Sequence, residues 1–280
     1  MEIIKTKWND REIQYFSSVT IKQKSNKESK FARVRIIVKN WEYIEQKLIK
    51  LVKEKNSQEA YACLIAIKYG LRVGNEFSSN GYISKVKKGE MVFTFGLSTL
   101  KKEHIIFNDS KMTLDFVGKK VVEHQIDVYD PFLIEYGRKF YQENTEDKWL
   151  NTTDYEIGKF IRKHINNRIT IKDFRTFVAN CKAWLVYNDE IKENQLPQTK
   201  KDLNSELKLV FQKTSELLGN TPGICKTAYI SHHLINYITS QRSSILIEKE
   251  QEKIRKKQEK EVSWKKMNEE RAAKGLKPLY

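Results

Sequence analysis

Two stretches in the first third of the chain carry apolar residues at helical spacing. Their apolar positions are Trp41, Ile44, Leu48 and Val52, then Ala60, Leu64, Ile67 and Leu71. Residues three or four positions apart share one face of an α-helix. The polar pair Asn56-Ser57 interrupts the series between the two stretches. The pattern therefore predicts two consecutive amphipathic helices.

The pattern changes between residues 81 and 128, where short runs rich in β-branched and aromatic residues alternate with turns. The runs are MVFTFGLSTL, HIIFND, MTLDFVG and VVEHQIDV, and the turns contain GE, NDS and GKK. Short β-rich runs between such turns are typical of hairpins. We expect a small antiparallel sheet of three to four strands here.

Helical spacing resumes after the Asp130-Pro131 pair. The predicted helices cover about 131–143, 154–165, 171–188, 200–218 and 222–240. Helices on both sides of one small sheet indicate an α+β fold that is mainly α-helical.

Three regions of the chain differ in composition. Residues 1–30 combine charged residues with a short β-like stretch and predict a reduced amino-terminal appendage. Residues 31–240 carry the regular pattern and predict the main domain. Residues 241–280 predict a charged helical tail, in which nine basic and seven acidic residues nearly cancel between Glu248 and Arg271.

The charge balance favours an anionic partner. Lysine and arginine number 52 against 36 aspartates and glutamates, which gives a formal net charge of +16. A strongly basic surface attracts polyanions, so nucleic acid is the first partner to consider and an anionic membrane surface the second. No run approaches the roughly 20 apolar residues that a membrane span requires. We therefore expect a soluble protein without a membrane span.

The cysteines and the known motifs limit the chemistry. Cys63, Cys181 and Cys225 are odd in number and widely spaced, which favours free thiols in a reducing, intracellular compartment. The chain contains no CxxC, HExxH or GxxxxGK[ST], the spacings typical of zinc sites, zincins and phosphate-binding loops. We expect chemistry without a metal ion, ATP or another cofactor.

Four side chains could carry chemistry, although each has an ordinary explanation when taken alone. Arg72 follows an apolar helix and could interact with the helix dipole. Lys119 lies in a GKK turn, where lysine is usually solvated. Arg175 lies one turn into an amphipathic helix, and Tyr229 could be a core aromatic residue with its hydroxyl in water. Individually, the ordinary explanations are favoured.

Together, these four side chains match the needs of phosphodiester transfer. That reaction needs a nucleophilic hydroxyl, cations on the phosphate oxygens and an acid for the leaving oxygen. Arginine binds phosphate through two parallel hydrogen bonds and stays charged, whereas lysine can release a proton. A tyrosine, whose ordinary pKa is about 10, becomes a useful nucleophile only beside such positive charge.

Five motifs follow one another along the chain. They are GLRVGNE, GLSTLKKEHI, FVGKKVVEH, IKDFRTF and LGNTPGICKTAYI, beginning at residues 70, 96, 116, 171 and 218. In this order they resemble the type IB DNA topoisomerases of the poxvirus and bacterial kind, whose catalytic domain is related to that of tyrosine recombinases. The resemblance covers roughly residues 30–240 and implies that residues 31–240 form a type IB-like catalytic domain.

The resemblance implies roles for five residues. Arg72 and Arg175 would bind the phosphate, Lys119 would be the general acid, and Tyr229 would be the nucleophile. Asn220 lies where family members carry histidine or asparagine, which hydrogen-bonds a non-bridging phosphate oxygen.

The resemblance also implies an activity. The protein would relax supercoiled double-stranded DNA by cleaving one strand through a 3′-phosphotyrosyl intermediate and religating it, without ATP or a metal ion. Such an isomerase is expected to be a monomer in a DNA-associated compartment, either the bacterial cytoplasm and nucleoid or a viral particle or factory. The charged tail is a candidate site for a partner protein.

Two features depart from the family pattern. From the resemblance we expect the amino-terminal lobe that closes around the duplex in the family to be reduced here to residues 1–30. The segment before GLSTL is longer than in the family and adds Lys85, Lys87 and Lys88, so residues 82–90 are a candidate second DNA-binding jaw.

Two other functions stay open at this point. A tyrosine recombinase or integrase uses similar chemistry on two duplexes, but it typically carries HxxR where this chain has Lys172-Asp173-Phe174-Arg175. A non-catalytic DNA-binding descendant of such an enzyme would not require the tyrosine at position 229.

Four further residues are weaker candidates. His232 and His233 follow Tyr229 by three and four positions, so on a continuous helix they could reach its hydroxyl. Cys225 is expected to be a free core cysteine. His124 is expected to be either a structural strand residue or a DNA contact.

Overall fold

The computed structural model of the protein describes residues 2–17, 26–84, 87–273 and 277. The helices are α1 (Asn26–Lys39), α2 (Trp41–Lys55), α3 (Gln58–Tyr69), α4 (Glu76–Ser79), α5 (Pro131–Glu143), α6 (Asp154–His164), α7 (Ile171–Val186), α8 (Lys200–Leu218), α9 (Pro222–Ile224), α10 (His232–Arg242) and α11 (Ser244–Ala273). The strands are β1 (Glu2–Trp8), β2 (Arg11–Ser17), β3 (Tyr82–Ile83), β4 (Met91–Val92), β5 (Ile105–Phe107), β6 (Met112–Gly118) and β7 (Val122–Val128). Lys85 of the predicted basic segment lies outside the described residues.

Helices α3 and α7 form the centre of the fold. Residues 60–67 of α3 are all buried, and so is most of α7. A helix that is apolar on nearly every side must be covered from every direction. Accordingly α2, α5 and α6 pack around α3, α1 and α8 pack around α7, and α3 and α7 contact each other. The two helices predicted before residue 72 are confirmed as α2 and α3.

The three-stranded sheet has the order β5-β6-β7, and its strands are antiparallel. Gly118 pairs with Val122, so Lys119, Lys120 and Val121 form the turn between β6 and β7. The predicted fold class, α+β and mainly helical with a small antiparallel sheet, is confirmed. The pairs β1-β2 and β3-β4 form two hairpins outside this sheet.

The predicted β-run MVFTFGLSTL does not join the three-stranded sheet. Only Met91–Val92 forms a strand, and it pairs with β3. The GLSTL end packs against the loop after α3, where the Leu97 amide donates a hydrogen bond to the Arg72 carbonyl at 3.0 Å. A Cβ on Gly96 would lie 2.5 Å from the nitrogen of Gly74. This close backbone approach joins the first two motifs and holds the chain at Arg72.

The last predicted helix is wrong in its middle. A short π-helical turn ends at Tyr229, and the next two residues, Ile230 and Ser231, are extended, both with ψ of 132°. The Ser231 hydroxyl then caps the start of α10. His232 and His233 therefore lie on a different helix from Tyr229, and their rings contact each other at 3.9 Å between centroids.

The hairpin of β1 and β2 belongs to the same hydrophobic core as the helices. The Trp8 indole donates a hydrogen bond to the Ile67 carbonyl at 2.9 Å. Phe16 stacks on Tyr237, with 4.3 Å between the ring centroids. Residues 2–17 thus support α3 and α10, and β2 also packs on α7.

The long helix α11 is exposed along nearly its whole length. Just before it, Arg242 is only 2% exposed and donates hydrogen bonds to Glu206 and to the carbonyls of Lys192, Asn194 and Gln195. This arginine fixes the point at which α11 leaves the core. Neither α11 nor any other described helix has the long apolar stretch needed to cross a bilayer.

We predict that Gly74→Ala destabilises the protein more than Gly89→Ala. The two glycines have φ of 93° and 91°, so both variants bear a similar cost for a left-handed backbone, about 1–2 kcal/mol. A Cβ at Gly74 would lie 2.7 Å from Thr99 Oγ1, whereas one at Gly89 would meet nothing within 4 Å. Urea denaturation should give Gly74→Ala an extra loss of about 1–3 kcal/mol in the free energy of unfolding. Equal losses would show that the backbone contact of Gly74 relaxes at no cost.

Candidate active site

Four of the five predicted site residues lie together in the structure. Arg72 Nη2 donates a hydrogen bond to Asn220 Oδ1 at 2.9 Å. The guanidinium carbon of Arg175 lies 5.7 Å from the centroid of the Tyr229 ring. The four residues come from the loop after α3, from α7, from the turn after α8 and from the π-helical turn before α10. They are called the arginine–tyrosine cluster below.

Arg175 is the most enclosed member of this cluster. It is 4% exposed, and its terminal nitrogens donate hydrogen bonds to the carbonyls of Gly70 and Leu218, the latter at 2.7 Å. Burial, followed by the nearby charge of Arg72, lowers the pKa of Arg175 to about 10. The guanidinium therefore stays charged at neutral pH and links α7 to both other segments.

Two hydrogen-bond donors in the cluster are buried without a partner among the described residues. They are Nε of Arg175 and Nδ2 of Asn220. Buried polar groups in folded proteins are nearly always hydrogen-bonded, and an unmet donor is costly. Two such donors beside a buried arginine form a site suited to the oxygens of a bound anion.

The environment of Tyr229 favours the ionised phenol. Burial alone would raise the pKa of this group. The charge of Arg175 and its hydrogen bonding to the phenol, followed by the charges of Arg72 and Lys30, outweigh burial and hold the pKa of Tyr229 below its ordinary value. The phenolate is the nucleophilic form of tyrosine. The cluster thus places a phenol with a lowered pKa beside donors for an anion.

Asn180 fixes the backbone around Tyr229, and sequence reasoning missed it. Its Nδ2 donates to the Tyr229 carbonyl at 2.9 Å, and its Oδ1 accepts from the Ser231 amide at 2.9 Å. Asn180 lies on α7, as Arg175 does, so one helix positions both a cation and the backbone at Tyr229. The signal in the sequence was an asparagine in the middle of an otherwise mostly apolar helical stretch, FVANCKAWLV.

His124 also lies beside the cluster, which sequence reasoning left open. Its ring stacks on Phe116 at 5.0 Å between centroids. A Cβ on Gly219 would lie 2.4 Å from His124 Cε1, so the histidine packs against the residue before Asn220. Burial, with smaller effects from the two arginines of the cluster, lowers the pKa of His124 to about 4. The ring is therefore neutral at neutral pH.

Lys119 lies outside the arginine–tyrosine cluster. It is exposed in the turn after β6, and no hydrogen bond, ion pair or ring contact joins it to the four clustered residues. The base of its hairpin does approach the cluster, because Gly118 and Gly219 both pack against the His124 ring.

Cys225, another of the weaker candidates, lies in the hydrophobic core. Cys225 is a free, fully buried cysteine, as expected, and burial raises the pKa of its thiol to about 11. Among the described residues, no group of three or more histidine, cysteine, aspartate or glutamate side chains is arranged to hold a metal ion.

Comparison with known proteins shows which proteins this chain is similar to in sequence. The chain is similar to DNA topoisomerase 1B of Acanthamoeba polyphaga mimivirus, with 25% identity over 60% of this chain and 50% of the viral protein. It is 30% identical to DNA topoisomerase 1 of rabbit fibroma virus, over 56% of this chain and 49% of that protein. DNA topoisomerase I of monkeypox virus is 26% identical over 80% of this chain and 68% of its own length. The chain thus spans about half the length of the first two relatives.

The family described as eukaryotic DNA topoisomerase I, catalytic core, matches residues 18–274. This match includes all four residues of the arginine–tyrosine cluster and also Lys119. Because it extends over nearly the whole sequence, the chain belongs to the DNA topoisomerase I catalytic-core family.

Proposed function

We propose that this protein is a type IB DNA topoisomerase, an isomerase that relaxes supercoiled double-stranded DNA by breaking and rejoining one strand. The observation that carries the proposal is the contact of Tyr229 with the buried Arg175, next to two buried donors for which the described residues supply no partner. A nucleophilic phenol beside unfilled anion donors is what phosphodiester attack requires.

In the proposed reaction, Tyr229 loses its proton to solvent and its oxygen attacks a backbone phosphorus. The new phosphotyrosyl bond forms as the bond to the 5′-oxygen breaks, and that oxygen leaves with a proton from Lys119. One ester replaces another, so the step conserves bond energy and needs no ATP. The freed 5′-hydroxyl end swivels and then attacks the phosphotyrosine, which restores the strand and the tyrosine.

Arg72, Arg175 and Asn220 would bind the non-bridging oxygens. Arg175 Nε and Asn220 Nδ2 have no acceptor among the described residues. The two terminal nitrogens of Arg175 each bond a carbonyl, and each carries a second N–H that could donate to phosphate. Charge grows on these oxygens as the tyrosine attacks. Donors that are already in place stabilise that charge without having to reorganise.

Lys119 would supply the proton from the other side of the bound strand. This role rests on the family resemblance and on the position of the hairpin, whose base packs against His124 beside Gly219. We propose that the duplex lies between the exposed hairpin tip and the arginine–tyrosine cluster.

The proposed substrate is double-stranded DNA, and the net charge of +16 suits it. Residues 31–240 would form the catalytic domain, and the enzyme would act as a monomer. Free, buried cysteines suit an intracellular, reducing compartment that contains DNA. Residues 82–90 remain a candidate DNA-binding jaw, and α11 a candidate site for a partner protein.

We predict that the purified protein relaxes supercoiled plasmid in EDTA without ATP, and that Tyr229→Phe does not. The variant loses one oxygen and no charge, so its DNA affinity in a mobility-shift assay should stay close to that of the wild type. Denaturant-stable DNA adducts should form with the wild type only, and adducts formed by Tyr229→Phe would contradict the proposal. Adducts that lead to strand exchange between two duplexes, without plasmid relaxation, would indicate a recombinase. DNA binding without any adduct would indicate a non-catalytic protein.

The role of Lys119 predicts a leaving-group effect. Lys119→Ala should slow cleavage of an ordinary phosphodiester by about 10²–10⁴-fold, the contribution of a positioned general acid. A substrate with sulfur at the 5′-bridging position needs little protonation and should restore most of the rate. Lys120→Ala, in the same turn, is the matched control and should cleave both substrates normally. Failure of the sulfur substrate to rescue Lys119→Ala would assign the proton to another residue.

Arg175→Lys should impair both stability and cleavage. Lysine places all its donors on one nitrogen, so it cannot reproduce the two separate nitrogens that bond the Gly70 and Leu218 carbonyls together with the Nε donor. Each buried group left unsatisfied costs about 1–3 kcal/mol. We expect a lower melting temperature and a cleavage rate lower by about 10²-fold or more. Arg72→Lys is the control, because its hydrogen bond in the structure is to Asn220, so it should lose cleavage with little loss of stability. Near-normal cleavage by Arg175→Lys would leave Arg175 with a structural role alone.

A further inference from the structure

Lys30, near the start of α1, contacts the proposed nucleophile and has no role in the reaction described above. Its amine lies 4.4 Å from the centroid of the Tyr229 ring. The same amine donates a hydrogen bond to the carbonyl of Ala228 at 2.5 Å. One cation thus touches both the ring and the peptide that precedes it.

An ion pair one helical turn away holds α1 in place. Arg33 donates from Nε to Asp173 Oδ2 at 3.0 Å and from Nη2 to Asp173 Oδ1 at 3.1 Å. Asp173 is fully buried and also accepts a hydrogen bond from the Thr170 amide at 2.9 Å. Residues three apart share one face of a helix, so the pair that docks α1 on the first turn of α7 also directs Lys30 toward Tyr229.

The hydrogen bond from Lys30 complements those made by Asn180 of α7. Lys30 binds the carbonyl before Tyr229, while Asn180 binds the Tyr229 carbonyl itself and the Ser231 amide. The two residues therefore hold the backbone on both sides of the nucleophile. The contact with the ring face adds a cation–π attraction, which strengthens when the amine is partly desolvated.

We propose that Lys30 is a positioning residue for the nucleophile, which holds the Tyr229 segment from α1 and places a third positive charge beside the phenol. The inference rests on the proposed DNA transesterification. Its chemical consequence is that Lys30 favours the ionised phenol at neutral pH, in addition to the larger effects of Arg175 and Arg72.

The charged groups that face Tyr229 and Lys30 come from α1, from α7 and from the loop after α3. Tyr229 faces Arg175 of α7, Arg72 of the loop after α3, and Lys30 of α1. The charged or titratable groups that face Lys30 are Tyr229, Arg175 and Asp173 of α7, and Arg33 of its own helix. Burial lowers the pKa of Lys30, while Tyr229 and Asp173 oppose that change. Removal of Lys30 therefore leaves two guanidinium groups near the phenol, so ionisation should be weakened and not abolished.

The test compares Lys30→Met and Lys30→Arg with a matched control, Lys226→Met. Lys226 lies in the π-helical turn that ends at Tyr229, but its amine lies over the Phe211 ring, 5.5 Å from the centroid. Titration of ring-labelled tyrosine by NMR in the DNA-free protein, with the Tyr229 signal assigned from Tyr229→Phe, reports the phenol directly. Single-turnover cleavage measured across pH reports its effect on the reaction.

For Lys30→Met we expect the Tyr229 signal to titrate at higher pH, because the ionised form has lost a neighbouring cation. Cleavage depends on the phenolate, so its pH profile should move in the same direction, and the rate at neutral pH should fall by about three- to tenfold, the scale of a partly solvated charge. Lys30→Arg should recover most of the rate, and Lys226→Met should match the wild type in both measurements.

An unchanged Tyr229 titration and an unchanged pH profile in Lys30→Met would overturn the inference. If Lys30→Met is poorly folded by circular dichroism, Lys30→Gln provides the same charge removal with a polar side chain and is judged by the same criteria. The NMR titration needs no DNA, so it can fail while the wild type still relaxes plasmid. Conversely, absence of relaxation and of DNA adducts would refute the proposed function whatever the titration shows.

Discussion

The buried guanidinium of Arg175 is the interaction on which the rest of the site depends. Its bonds to the Gly70 and Leu218 carbonyls join α7 to the ends of α3 and α8, and those ends carry Arg72 and Asn220 two residues further on. An exposed arginine could not do this, because water would compete for both carbonyls. No residue in the described part of the chain accepts a hydrogen bond from Nε of this buried side chain. One side chain therefore both joins three segments of the fold and keeps a donor that could face an anion.

Concentration of positive charge around Tyr229 is the second constraint. Arg175, Arg72 and Lys30 repel one another in a partly buried space, and each loses hydration there. Carbonyl acceptors and the buried Asp173 offset part of that cost, and an anion bound at the free donors would offset more. The site therefore suits an anion, such as the phosphate of the proposed reaction. The lowered pKa of Tyr229 follows largely from the same charges.

Much of the fold was predictable because local chemistry specifies where helices and turns begin and end. The helix at Pro131–Glu143 begins at the Asp130 cap, and the helix at Lys200–Leu218 ends at Gly219, which has φ of 56°. Such signals act over a few residues and can be recognised without tertiary information. The order of the motifs was enough to propose a common site and the family, although the proximity of Lys119 to the other four residues remains a prediction.

The sequence by itself determined the helices, the small sheet and the types of residue needed for phosphodiester chemistry, since these depend on spacing and on side-chain character. Only the tertiary structure decided where the last helix breaks and which side chains surround Tyr229. Asn180 meets Tyr229 across 49 positions, and Lys30 meets Ala228 across 198. Such contacts arise from the packing of α7 and α1 against the segment that carries Tyr229. Helical periodicity extends only a few residues and carries no information about them.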